Sequence, residues 1–191
     1  MKTKRKFTPL HRLLHWTIAI AMSMLFITGF LRMFWMNKNH MASIIGSKTQ
    51  ALPQEEIIEI AKAIREPMWE WHVMFAYVMI FSFLIRIIYM IFKGMKFPNP
   101  FNTKVELQER LHGSIYLFFY AFVFVSIVTG VAMKQGFFPE MKDTIETVHK
   151  LGIYWFPIFI LLHIIGIIKA EYTNRKGISS EMISGKSNYI K

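Results

Sequence analysis

Apolar residues run almost unbroken through four stretches of the chain: Leu13 to Leu31, Trp71 to Phe92, Leu111 to Met133 and Leu151 to Ile168. Three contain no Lys, Arg, Asp or Glu, and the second holds only Arg86. Each is long enough to cross a hydrocarbon core of about 30 Å at about 1.5 Å of helix rise per residue. A chain in lipid must pair its own backbone N–H and C=O groups, which selects helices for such runs. The pattern predicts an all-α fold, a transmembrane four-helix bundle with spans at about 13–35, 69–92, 111–133 and 147–169. The longest polar stretch, Met36 to Glu70, is too short to bury a core of its own, so the chain reads as a single integral membrane domain over 1–191.

Between the first two spans, ALPQEEIIEIAKAIREP predicts a short surface helix. Pro53 suits its first turn, the acids cluster early, and Ile57, Ile60, Ala61 and Ile64 share a face. Such a helix can lie on the bundle or in the headgroup layer, or serve as a docking lid for an external redox partner. The connection KGMKFPNPFNTK, with Pro98 and Pro100, predicts an ordinary loop. The start, MKTKRKFTPLHRLLHW, places a basic flank before a long apolar run with no small-residue cleavage site after it, which reads as a retained signal anchor.

Composition agrees: 53% hydrophobic and 16% aromatic residues are too many for a soluble domain of this size, so lipid is the expected solvent. The formal charge of +11 could suggest nucleic acid, but its distribution follows membrane topology instead. With the amino terminus inside, fourteen Lys and Arg fall on the cytoplasmic side, among them Lys2, Arg5, Arg12, Lys93, Lys104 and Lys169. Seven fall on the opposite side, interleaved with acids such as Glu55, Glu66 and Asp143. Both termini are therefore expected in the cytoplasm.

That orientation fixes the depth of the histidines. His15 and His163 lie near the inner surface, His72 and His149 near the outer. His149 and His163 are fourteen residues apart, so on one unbroken helix their side chains fall within about 40° of each other and about 21 Å apart. A lone intramembrane histidine is explained by a hydrogen bond between helices, but four at two matched levels ask for a common cause. Two stacked bis-histidine haems, His15 with His163 and His72 with His149, supply it. Cysteine is absent, which excludes disulfides, thiolate iron–sulfur ligation and covalent haem attachment, so the haems would be b-type.

Other residues fit around these four. Arg86 lies fourteen residues after His72 at the depth of His163, where a guanidinium either holds a propionate of the inner haem or snorkels to the interface. Arg12 and Arg110 are further candidates for the inner haem, and Arg32 and Lys150 for the outer. His11 reads as interfacial, facing water or a propionate, and His40 as a loop residue, while His112 competes with His15 and His163 as an inner ligand. Gly29, Gly113, Gly130, Gly152 and Gly166 allow close approach of a haem edge or a helix, and Pro157 can kink the last span.

HRLLHW at 11–16, WHVMFAYVMIFSFLIR at 71–86, HGSIYLFF at 112–119 and HKLGIYWFPIFILLH at 149–163 together resemble the bacterial cytochrome b561 family, which includes the membrane cytochrome b subunits of nickel–iron hydrogenases. The resemblance covers nearly the whole chain. It implies ligation by His15, His72, His149 and His163, and electron transfer between quinone and another donor or acceptor. The segment between the first two spans is longer than in that family, and the fifth span of some hydrogenase-type members is not evident. The expected protein is a diheme b-type cytochrome of the bacterial inner membrane, multi-pass, with two haem b groups. Its partners would be lipid, the quinone pool and a redox protein, in a homodimer or larger complex, with no nucleic acid. A superoxide-to-quinone or ferric-type oxidoreductase is compatible with the same ligands. A non-redox transporter or assembly protein lacks support, since neither inverted repeats nor broken mid-membrane helices are visible.

Overall fold

The structure, a computed structural model, describes residues 7–49, 51–93, 99–102, 104, 106–173 and 175–186. All regular structure among them is helical. In order these are α1 (Pro9–Phe30) with a π-helical turn at Leu31–Trp35, α2 (Lys38–Lys48), α3 (Gln54–Lys93), α4 (Leu107–Gln135), a short 3₁₀ turn at Pro139–Met141, α5 (Lys142–Lys150), α6 (Gly152–Tyr172) and α7 (Ile178–Ser184). Four stretches are long and apolar enough to cross a membrane, at Pro9–Trp35, Gln54–Lys93, Glu109–Gln135 and Pro139–Tyr172. Large apolar side chains remain exposed along them, Phe81 at 71% and Leu161 at 61% among them, which suits lipid rather than water as the surrounding medium. Part of the basic flank, Lys2 to Lys6, and of the inner loop, including Lys96 and Pro98, lies outside the described residues.

The chain divides into two compact units, Met1–Trp16 with Phe83–Lys191, and Thr17–Ser82. In the second, the segment expected to be a separate surface helix is instead the start of α3, a single helix of 40 residues. It continues through Pro67, whose missing N–H releases only the carbonyl of Ala63; both residues are exposed, so that oxygen can be solvated. At about 1.5 Å per residue α3 is about 60 Å long, about twice the hydrocarbon thickness, so it projects beyond the membrane. Ile57 and Ala61 of its projecting part are buried against Ala42 of α2, which takes up the apolar face. His40 belongs to α2 rather than to a loop.

In the first unit α4 packs against α5 and α6, through the pairs Phe118–Trp155 and Phe119–Phe159, both with ring centres 5.0 Å apart. The last span is not one uninterrupted helix. α5 ends at Lys150, and Leu151 forms a turn in which its N–H reaches both Thr147 and Val148 carbonyls while Tyr154 N–H closes back on Leu151. Gly152, a weak helix former, follows, and a β-carbon there would meet Phe122 at 3.8 Å. His149 and His163 therefore stand on successive helices, and uniform helix geometry does not set their relation.

The chain after α6 turns back. Glu171 accepts hydrogen bonds from the N–H groups of Gly177 and Ser179 and from the Ser179 hydroxyl, which fixes the start of α7. Trp16 Nε1 donates to the Met182 carbonyl at 3.3 Å. Gly185, at φ 75°, lies so close to Arg12 that a β-carbon would collide with the guanidinium.

Candidate functional site

In the first unit His15 of α1 and His163 of α6 face each other with ring centres 6.1 Å apart and planes inclined by 34°. An imidazole nitrogen binds a first-row metal at about 2.0 Å and its ring centre lies about 1.1 Å further back, so two imidazoles on opposite sides of one ion have centres about 6.2 Å apart. The pair thus has the spacing of a bis-histidine centre. Phe159, one turn before His163, stacks on its imidazole at 5.6 Å and 20°. His112 stands in the second turn of α4, and the ring paired with His163 is that of His15.

Arg86 is buried at 9% exposure, and its Nε donates to the Tyr120 hydroxyl at 2.8 Å, which in turn donates to Met90 Sδ at 2.9 Å. No carboxylate pairs with Arg86 among the described residues. Arg12 has a buried Nε without an acceptor among the described residues, which leaves it a donor for an anion at this end. His11 stacks on Phe7 at 5.2 Å and meets the edge of Tyr89. Arg110 donates from Nε to the Pro100 carbonyl at 3.1 Å, which leaves its other N–H groups for a further acceptor.

His72 lies in the second unit, on α3. Trp69, one turn earlier, stacks on it with ring centres 5.7 Å apart and planes 6° from parallel, and Arg32 lies over that indole at 4.7 Å. Arg65, one turn before Trp69, is buried with an Nε that has no acceptor among the described residues. Arg65 and Trp69 were not singled out by the sequence; the i, i+4, i+7 spacing of Arg65, Trp69 and His72 is the signal that was available. The Nδ1 of His72 is 2.8 Å from the Thr28 hydroxyl of α1, next to Gly29.

His149 repeats this arrangement within the first unit. Its Nδ1 is 3.0 Å from the hydroxyl of Thr129 of α4, next to Gly130. Lys150, by contrast, makes a half-exposed surface ion pair with Glu146 at 2.5 Å. The two glycines differ in tightness: a β-carbon at Gly130 would stand 3.1 Å from His149 Cε1, whereas one at Gly29 would stand 3.9 Å from His72 Cε1. Gly130→Ala is therefore expected to displace the His149 imidazole and alter the haem absorption spectrum, while Gly29→Ala leaves it as in the parent protein. Absorption and magnetic resonance spectra of both variants check this; equal behaviour of the two would contradict it.

Four candidate membrane spans, an imidazole pair at the spacing of a single metal ion, and two further half-buried histidines whose Nδ1 atoms meet threonine hydroxyls fit a haem-binding membrane protein. No match was found among curated proteins or solved structures. The family model described as prokaryotic cytochrome b561 matches residues 6–185. The chain belongs to the prokaryotic cytochrome b561 family, and is a multi-pass membrane cytochrome that binds haem b and transfers electrons.

Proposed function

We propose that the protein carries two b-type haems, one near each membrane surface, and passes electrons between a quinone and a redox partner protein. The observation that carries this reading is the 6.1 Å imidazole pair of His15 and His163 in a member of this family. His15 and His163 are the inner ligands, and His72 and His149 are the outer ones, a pairing drawn from their depths in the sequence. Bound haem would supply reversible one-electron chemistry, and holding it by two histidines at each level would keep it closed to oxygen.

The chain's own residues hold and tune these centres. Arg86 and Arg12 bind the carboxylates of the inner haem, and Arg86 is kept in place by Tyr120. Arg32 and Arg65 take the same part at the outer level, where no carboxylate pairs with either among the described residues. Stacking by Trp69 and Phe159 restricts rotation of His72 and His163. By the bias of Lys and Arg, both termini lie on the cytoplasmic side of a bacterial inner membrane.

Pyridine haemochrome analysis of the purified protein is expected to give about two haem b per chain, and electron paramagnetic resonance a low-spin six-coordinate spectrum for both. One haem per chain, or a high-spin majority, would refute the two-centre reading.

A further inference from the structure

Thr28 and Thr129 occupy equivalent chemical positions on different helices. Each begins a Thr-Gly pair, each hydroxyl lies against the Nδ1 of a histidine, and each also bonds backward to its own helix. The Thr28 hydroxyl donates to the Met24 carbonyl at 2.7 Å and is 3.1 Å from that of Leu25. That of Thr129 donates to the Val125 carbonyl at 2.7 Å and is 3.2 Å from that of Ser126.

A hydroxyl has one proton, and a carbonyl can only accept it. With that proton directed at the preceding turn, the oxygen presents a lone pair to the imidazole and Nδ1 is the donor; at His149 the Ser126 backbone carbonyl is a second acceptor for the ring. A neutral imidazole has one N–H, so this places the ring's lone pair on Nε2, the tautomer that binds iron through Nε2. An N–H donated to an oxygen that is itself hydrogen-bonded also makes the imidazole a stronger electron donor, which favours oxidised iron. The inner pair is built differently: among the described residues neither His15 nor His163 has a hydrogen bond to a ring nitrogen, and His15 Nδ1 is buried without a partner.

The geometry points to Thr28 and Thr129 as positioning residues that select the iron-binding tautomer of His72 and His149 and hold the potential of the outer haem down. This rests on the proposed ligation by those histidines. The outer haem is thereby the more electron-rich centre, and the inner one, which lacks these bonds, is the better acceptor.

Valine matches threonine in shape but removes the hydroxyl, and serine keeps the hydroxyl while losing a methyl group. In the full-length purified protein, Thr28→Val and Thr129→Val should each raise the midpoint potential of the same haem. The expected change is about tenfold in the oxidised-to-reduced ratio at fixed potential, the scale of one hydrogen bond, or about 59 mV for one electron. The g values of that haem should move with it, and the Thr→Ser variants should behave as the parent. Loss of that haem in a valine variant with retention in its serine counterpart also supports the assignment, because the hydroxyl is then what matters. Unchanged potential and g values in both valine variants overturn it, as does equal loss of haem in the valine and serine variants. His72→Ala and His149→Ala, compared in parallel, separate the two levels: if neither removes a haem, the ligand reading itself has failed, and if both do while the valine variants stay silent, only the role of the threonines has.

Discussion

Replacing His72 or His149 with alanine is expected to remove one and the same haem, lowering the content from about two per chain to about one and leaving the inner spectrum intact. The expectation follows from filled axial positions: loss of one imidazole breaks a coordinate bond that stacking and propionate contacts do not replace, and the other imidazole cannot hold six-coordinate iron alone. The two histidines come from different helices, so a shared phenotype is a demanding result. If the two variants lose different haems, the pairing by depth is wrong. His40→Ala is the control, since His40 stands on α2, apart from both pairs in the sequence, and should leave both haems in place. At the inner level, loss of a haem in His112→Ala together with tolerance of His15→Ala would overturn the assignment of His15.

The second large effect is expected at Arg86. Its positive charge favours reduced iron, whose net charge is one unit lower than that of oxidised iron. At about 10 Å and an effective dielectric of about 20, a unit charge contributes about 1.7 kcal/mol. That corresponds to about 70 mV for a one-electron couple. Arg86→Gln should therefore lower the inner potential by about that amount and change the outer haem little. Tyr120→Phe keeps the charge but removes the hydroxyl that fixes Nε, so a smaller shift is expected there. Redox titration of each haem reads both variants. An unchanged inner potential would mean that Arg86 only extends toward the interface, and a shift confined to the outer haem would invert the depth assignment.

How much of this was legible beforehand depends on the range of the interaction involved. Four spans follow from apolar run length, because a backbone in lipid has few options other than a helix. The histidines stood out because a costly polar group inside an apolar run needs a reason. The pairing of His15 with His163 was legible as a matter of depth, although no local rule gives the 6.1 Å separation that the structure has. Local signals misled where a longer contact decided the outcome. The segment that ends at Pro67 was expected to be a short helix of its own, yet α3 passes through Pro67, with the helix before it buried against α2 at Ile57 and Ala61.

The sequence by itself determined the medium, the helical class, the four histidines and, through its motifs, the family, since these depend on hydrophobicity, spacing and residue type along the chain. The tertiary structure decided what each histidine meets. Thr28 reaches His72 across 44 residues and Thr129 reaches His149 across 20, Arg86 finds Tyr120 across 34, and α7 returns to Trp16 across 166. Threonine within an apolar helix usually bonds only to its own preceding turn, and nothing in its local sequence says which of its oxygen's remaining lone pairs will be used. That choice exists only once another helix has brought an imidazole within about 3 Å, the reach of a hydrogen bond.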